Sequence, residues 1–176
     1  MLLLIVMTII GIASVTVTGL ENRMAGFGRT GEAGSSAAES CLGTAVRIIQ
    51  DTIDNGSVPN GYLTTANPAG PVPPAMQAQL TNEIFGFNNN ENNPDTADTA
   101  PNTTVVVNNF TVNGDIDRLY AALKAGANAE FGGEAGGKEI RYRIDCVATN
   151  AATNTRSRIT AVYACTTTTE SCQIRL

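Results

Sequence analysis

The chain has 176 residues, 15% of them charged, a net charge of -5 and no histidine. That balance argues against nucleic acid or an anionic membrane surface as a partner, since both recruit clustered lysine and arginine. The missing histidine removes the commonest general base and the Ser-His and Cys-His nucleophile pairs.

The chain opens with twenty uncharged residues, MLLLIVMTIIGIASVTVTGL (1 to 20). As a helix they would rise about 30 Å, the thickness of a bilayer's hydrocarbon core. No basic residue precedes the apolar run, and it is longer than the usual apolar core of a signal peptide, so it reads as a retained segment. Next comes a section holding Gly26, Gly28, Gly31 and Gly34 among helix-forming Ala, Glu and Arg. Each glycine costs a helix interior about 1 kcal/mol relative to alanine. The section is therefore expected to interrupt a long helix, with these four glycines as the points that stretch or melt. Leu42, Val46, Ile49 and Ile53 then form one apolar stripe that predicts an amphipathic helix, closed by Asn55-Gly56. The expected division is a helical 1–53, split into 1–20, 21–40 and 41–53, and a globular 54–176.

Residues 57–102 read as a long, solvent-facing connection punctuated by Pro59, Pro68, Pro71, Pro73 and Pro74, with a short helix from Ala75 to Phe85. The run NNNENNPDTADTAPN (88–102) is nearly devoid of apolar side chains. Its oxygens suit a hard cation such as calcium, but the spacing matches no EF-hand, and a polar turn is the expectation. Thr103 to Val112 predicts a strand ending at the turn signal Asn113-Gly114. Asp115 then reads as an N-cap, with Ile116, Leu119, Tyr120 and Leu123 along one face of a helix ending at Gly126. After the glycine-rich 132–137, strands are predicted at 139–148, 156–165 and 171–176. In the first, Ile140, Tyr142, Ile144 and Cys146 alternate with Glu139, Arg141, Arg143 and Asp145, which puts one face on a core and one in water. Ile159, Ala161, Tyr163 and Cys165 alternate likewise. The domain 103–176 should hold an antiparallel sheet of about four strands, packed on the helical stripe.

The four cysteines have no CxxC spacing, and without histidine they suit disulfides in an oxidising compartment better than zinc. Four cysteines allow three pairings. Cys165 and Cys172 flank TTTTES and can close a hairpin, while Cys41 on the helix and Cys146 on the inward strand face can meet, so Cys41–Cys146 with Cys165–Cys172 is the preferred set. GFGRTG (26–31) is glycine-rich but precedes no Lys-Ser/Thr, so it is no phosphate loop. No carboxylates form a recognisable catalytic pair. No enzymatic activity, cofactor or bound metal is expected.

An uncharged N-terminal helix continuing into a domain with a disulfide-bearing antiparallel sheet resembles a type IV pilin. The segment GLENRMAGFGRTGEAGSSAAES (19–40) is similar to the N-terminal motif of PilX-like minor pilins, with Glu21, Arg23, Met24, Ala25, Gly26, Ala37, Ala38 and Glu39 at matching positions. The end, YRIDCVATNAATNTRSRITAVYAC, resembles the closing hairpin of that group. The resemblance implies an α+β, pilin-like fold and a structural subunit that leaves the inner membrane, with the help of pilus assembly machinery, to form a homo-oligomeric filament on the cell surface. The assembly interface it implies comprises Met1, Leu2, Leu3, Leu4, Ile5 and Val6, then Ile9, Ile10, Ile12, Val15, Val17 and Leu20, with Glu21 and Arg23 as contacts or as the membrane–water boundary. Ile5 departs from the glutamate that most major pilins carry there, as several minor and tip subunits do. The proline often found where the pilin helix melts is missing, leaving the glycines to serve. No basic leader precedes Met1, so the resemblance implies numbering from a cleaved, N-methylated terminus. Phe27 is the only aromatic residue among the first 53, which gives no basis for conduction along stacked rings. The alternatives are a minor or tip subunit that primes assembly or adheres, and a membrane-anchored binding module that never polymerises.

Overall fold

The computed structural model describes residues 1–87, 96–123, 138–168 and 171–174, without the side chains of Leu2, Leu4, Ile5, Leu123, Thr167, Thr168 and 171–174. One helix, α1 (Leu2–Asn55), leads into two short 3-10 turns and α2 (Gln77–Phe85). Five strands follow: β1 (Thr103–Val107), β2 (Phe110–Leu123), β3 (Lys138–Asn150), β4 (Thr155–Thr168) and β5 (Ser171–Ile174). They pair in chain order as an antiparallel meander, and the C-terminal part of α1 lies across it, an α+β arrangement.

The face that α1 buries is set by small residues. Ala37, Ala38, Cys41, Ala45, Ile48, Ile49 and Thr52 recur at helical spacing and are buried against the sheet. Of the expected stripe, only Ile49 lies at the centre; Leu42, Val46 and Ile53 sit on its shoulders, half-buried. The three alanines bring the backbones close enough that the larger side chains fall to the flanks. Opposite them stand Val112, Ile116, Tyr142, Ile144, Cys146 and Cys165 of the sheet, while Leu80 and Ile84 of α2 close one end. α1 ends where expected, at Gly56 in the left-handed conformation (φ 76°).

The expected interruption of α1 does not occur: the helix is continuous through Gly26, Gly28, Gly31 and Gly34. The Ala, Glu and Arg helix formers between the glycines keep the backbone helical. The helix expected from Asp115 to Gly126 is also corrected, because residues up to Leu123 belong to β2. The spacing of Ile116, Leu119, Tyr120 and Leu123 fits a helix, but Val112, Gly114 and Ile116 also alternate. That alternation places them opposite Ala148, Cys146 and Ile144 of β3. A bulge between Arg118 and Tyr120, with Leu119 as the extra residue, is what imitates the helical spacing. The hairpin turn therefore falls at Asn108-Asn109, with Asn108 left-handed at φ 53°, and the sheet has five strands instead of about four.

Gly114 sits within β2 because a Cβ there would stand 2.7 Å from Cys41 Sγ, with Thr103 Oγ1 nearer still. The 57–102 connection is also not wholly solvent-facing, since Val58, Leu63, Val72, Ala97 and Asn102 are buried.

Candidate assembly surface and its anchorage

The two halves of α1 live in different surroundings. Every described side chain from Leu3 to Arg29 is exposed, and burial begins at Gly34. Met1, Leu3, Val6, Ile9, Ile10, Ile12, Val15, Val17 and Leu20 all stand free of the domain, as do Glu21 and Arg23. The side chains of Leu2, Leu4 and Ile5 lie outside the described residues. Successive apolar residues such as Ile9, Ile10 and Ile12 point in different directions, so the helix has an apolar circumference, not one apolar face. Its hydroxyls turn inward: Thr16 donates to the Ile12 and Ala13 carbonyls, Thr18 to Ser14 and Thr30 to Gly26. Each thus satisfies its own donor and presents a methyl group outward. Phe27, 75% exposed, extends this apolar surface past the first charges. Among the described residues, no helix is long and apolar enough to cross a membrane.

The four glycines divide into two kinds. A Cβ at Gly26, Gly28 or Gly31 would meet nothing within 4 Å, whereas one at Gly34 would stand 2.6 Å from Ser157 Oγ and 3.2 Å from Phe110 Cε1. Gly34 is a packing residue that lets the helix touch the end of the sheet.

Below that point the helix is fastened to the sheet. Cys41 and Cys146 form a disulfide across 105 residues, with Cα atoms 6.2 Å apart. Cys165 is buried and disulfide-bonded; the side chain of Cys172, its expected partner, lies outside the described residues. Gln50 donates to the Tyr163 hydroxyl at 3.1 Å, and Tyr62 donates to Asp51. Burial, then that hydrogen bond, pushes the Tyr62 hydroxyl up to about 12. Tyr142 is wholly buried, stacks on Tyr163 and donates to the Ile84 carbonyl at 2.9 Å, which ties α2 to β3.

The outer face of the sheet differs from the wet surface expected of it. Asp145, 1% exposed, receives Arg158 through two contacts of 2.8 and 2.6 Å, Thr160 at 2.8 Å and the Ala97 amide at 3.1 Å. Burial alone would raise the Asp145 carboxyl, but these hydrogen bonds outweigh it and hold it below the ordinary carboxylate value. Asp98 pairs with Arg156 and Arg158, so residues 96–102 lie strapped across the sheet. Glu83, Asn102, Asp115 and Asp117 form a second buried polar group beside it. Neither group was expected from the sequence, although Asp-Ile-Asp at 115–117 carries the two-residue alternation of a strand. Residues 88–95 of the segment considered for calcium lie outside the described residues. Among those that are described, no three His, Cys, Asp or Glu side chains are placed to hold a metal ion. At the sheet end near Gly34, an open cavity of about 470 Å³ is lined by Asn109, Thr111, Asn150, Ala151, Asn154 and Arg156 among others.

Comparison of the chain with protein-family models, curated proteins and solved structures found no match.

Proposed function

We propose that the chain is a structural subunit of a type IV pilus-like filament, polymerising through the N-terminal half of α1. The observation that carries this reading is the exposed apolar circumference of residues 3–20 beside a well-packed domain. A helix that is apolar all round requires apolar surroundings. Before assembly the inner membrane supplies them; afterwards the same helix of neighbouring copies does. Burial contributes about 25 cal/mol per Å² of apolar surface removed from water. The disulfide and the alanine-lined contact keep each domain attached to its helix in the filament wall. Assembly machinery in the membrane moves the subunit from one environment to the other.

A second reading is favoured by Ile5. Without an acidic side chain at that position, the charge pairing with a neighbour's N-terminal amine is absent, as in the minor subunits that motif 19–40 resembles. Stoichiometry separates the two readings. Filaments sheared from producing cells should contain the chain by peptide mass spectrometry. A dominant signal marks the main subunit, and a trace beside another pilin marks a minor one. Retention with the membranes and absence from the sheared fraction would overturn both and leave an anchored, non-polymerising module.

A further inference from the structure

The outer sheet face holds a carboxyl cluster that assembly through α1 does not use. Asp115 and Asp117 flank Ile116 on β2 and project from the face opposite the helix. Glu83 reaches them from α2, and Asn102 from the 96–102 segment. Asp115 is 2% exposed and Asn102 1%. Asn102 Nδ2 joins the elements, donating to Glu83 Oε2 and to Asp115 Oδ1, each at 3.0 Å. Two cluster atoms, Asp115 Oδ2 and Asn102 Oδ1, have no hydrogen-bond partner among the described residues.

Among the described residues, the charges around Asp115 are mostly negative. Glu83 faces it from α2 and Asp117 from β2. On β3, Arg143 Nη2 is engaged by Asp117 Oδ2 at 2.8 Å, and Asp145, the register partner of Asp115, is held by Arg158 of β4. Arg118 turns to the other side, toward the Phe85 carbonyl. A buried carboxyl oxygen without a donor, beside two carboxylates and one guanidinium that gives its Nη2 to Asp117, is where a proton settles. Burial, then the charges of Asp117 and Glu83, push the Asp115 carboxyl up to about 8.

We propose that a proton held in the Glu83–Asn102–Asp115–Asp117 cluster latches α2 and residues 96–102 onto β2, and that its loss as the pH rises frees them. With the proton in place, Asp115 adds no charge beside Asp117 and Glu83. Without it, three carboxylates share a site that excludes water. Glu83 and Asn102 belong to elements outside the meander, so releasing them costs less than opening strand pairs. The folded value near 8 lies above the ordinary 3.8. The latch is therefore at full strength below about pH 4, weakens as the pH rises and is exhausted once it passes about 8. The chain has no histidine to titrate in this window.

Hydrogen exchange of the full chain in detergent micelles, read by mass spectrometry and corrected for intrinsic pH effects, tests this. The opening of 77–85 and 96–102, measured against β3, should rise by up to tenfold per pH unit from 6 to 8 and then level off. Asp115→Asn should abolish that slope while β3 and β4 keep their protection. Glu83→Gln removes one of the charges that hold the proton, and should move the levelling to lower pH; it decides the matter if Asp115→Asn fails to fold. A flat profile in the unmodified chain, or an unchanged slope in the variant that folds, overturns the proposal.

Discussion

Gly114 shows how much one missing side chain decides here. Its position in β2 faces the Cys41–Cys146 bridge, and a Cβ would stand 2.7 Å from one sulfur and 3.7 Å from the other. A disulfide cannot swing aside as the end of a flexible side chain can. Gly114→Ala should therefore destabilise the domain by about 2 kcal/mol, within the range for overpacked cores. Gly43, on the exposed side of α1, offers the opposite case, since a Cβ there meets nothing within 4 Å. Gly43→Ala should stabilise by up to about 1 kcal/mol through helix propensity. Urea unfolding of the two variants in detergent checks both signs, and destabilisation of equal size in both would refute the contact argument.

The elements differ in how far their residues announce them. β3 and β4 were legible because Ile140, Tyr142, Ile144 and Cys146 alternate with polar residues, and the same holds from Ile159 to Cys165. α2 was expected at Ala75 to Phe85 and spans Gln77–Phe85. β2 was not, because the bulge near Leu119 makes a strand look helical, and only pairing with β3 resolves the ambiguity. The apolar N-terminal segment could be read directly, since charge is a local property. The buried Asp115 and Asp145 could not, because what buries them arrives from α2 and 96–102, far away in sequence. The continuity of α1 also exceeds what its glycines suggested. Gly26, Gly28 and Gly31 make no contact that requires a glycine, yet each lowers helix stability by about 1 kcal/mol. Replacing all three with alanine should stabilise the stalk by about 3 kcal/mol at most and slow hydrogen exchange across 20–33. If the glycines serve extension of the helix during assembly, the same variant should fold normally and yield fewer filaments. Unchanged exchange in that stretch would show that the glycines do not weaken the helix.

The whole molecule joins an exposed apolar helix to a packed domain, and one covalent bond secures that joint. The Cys41–Cys146 bridge spans 105 residues, so it closes a loop containing α2, β1, β2 and most of β3. Loop closure on that scale removes unfolded-state entropy worth about 4 kcal/mol. The sulfurs sit where α1 approaches Gly114, so the bond also fixes one close point between helix and sheet. Chemical reduction would also break the disulfide at Cys165, which makes a double variant the cleaner probe. Cys41→Ala with Cys146→Ala should lower the unfolding free energy by about 4 kcal/mol, read as a shift in the urea midpoint with little change in the strand signal. The remaining attachment is apolar packing by Ala37, Ala38, Ala45, Ile48 and Ile49 with the Gln50–Tyr163 hydrogen bond, which contribute without a covalent limit on separation. Exchange protection of α1 between 37 and 49 should then fall more than that of β3 and β4, because the strands keep their own ladder. Equal losses in helix and sheet would mean that the bridge stabilises the domain as one cooperative unit and does not specifically secure the joint.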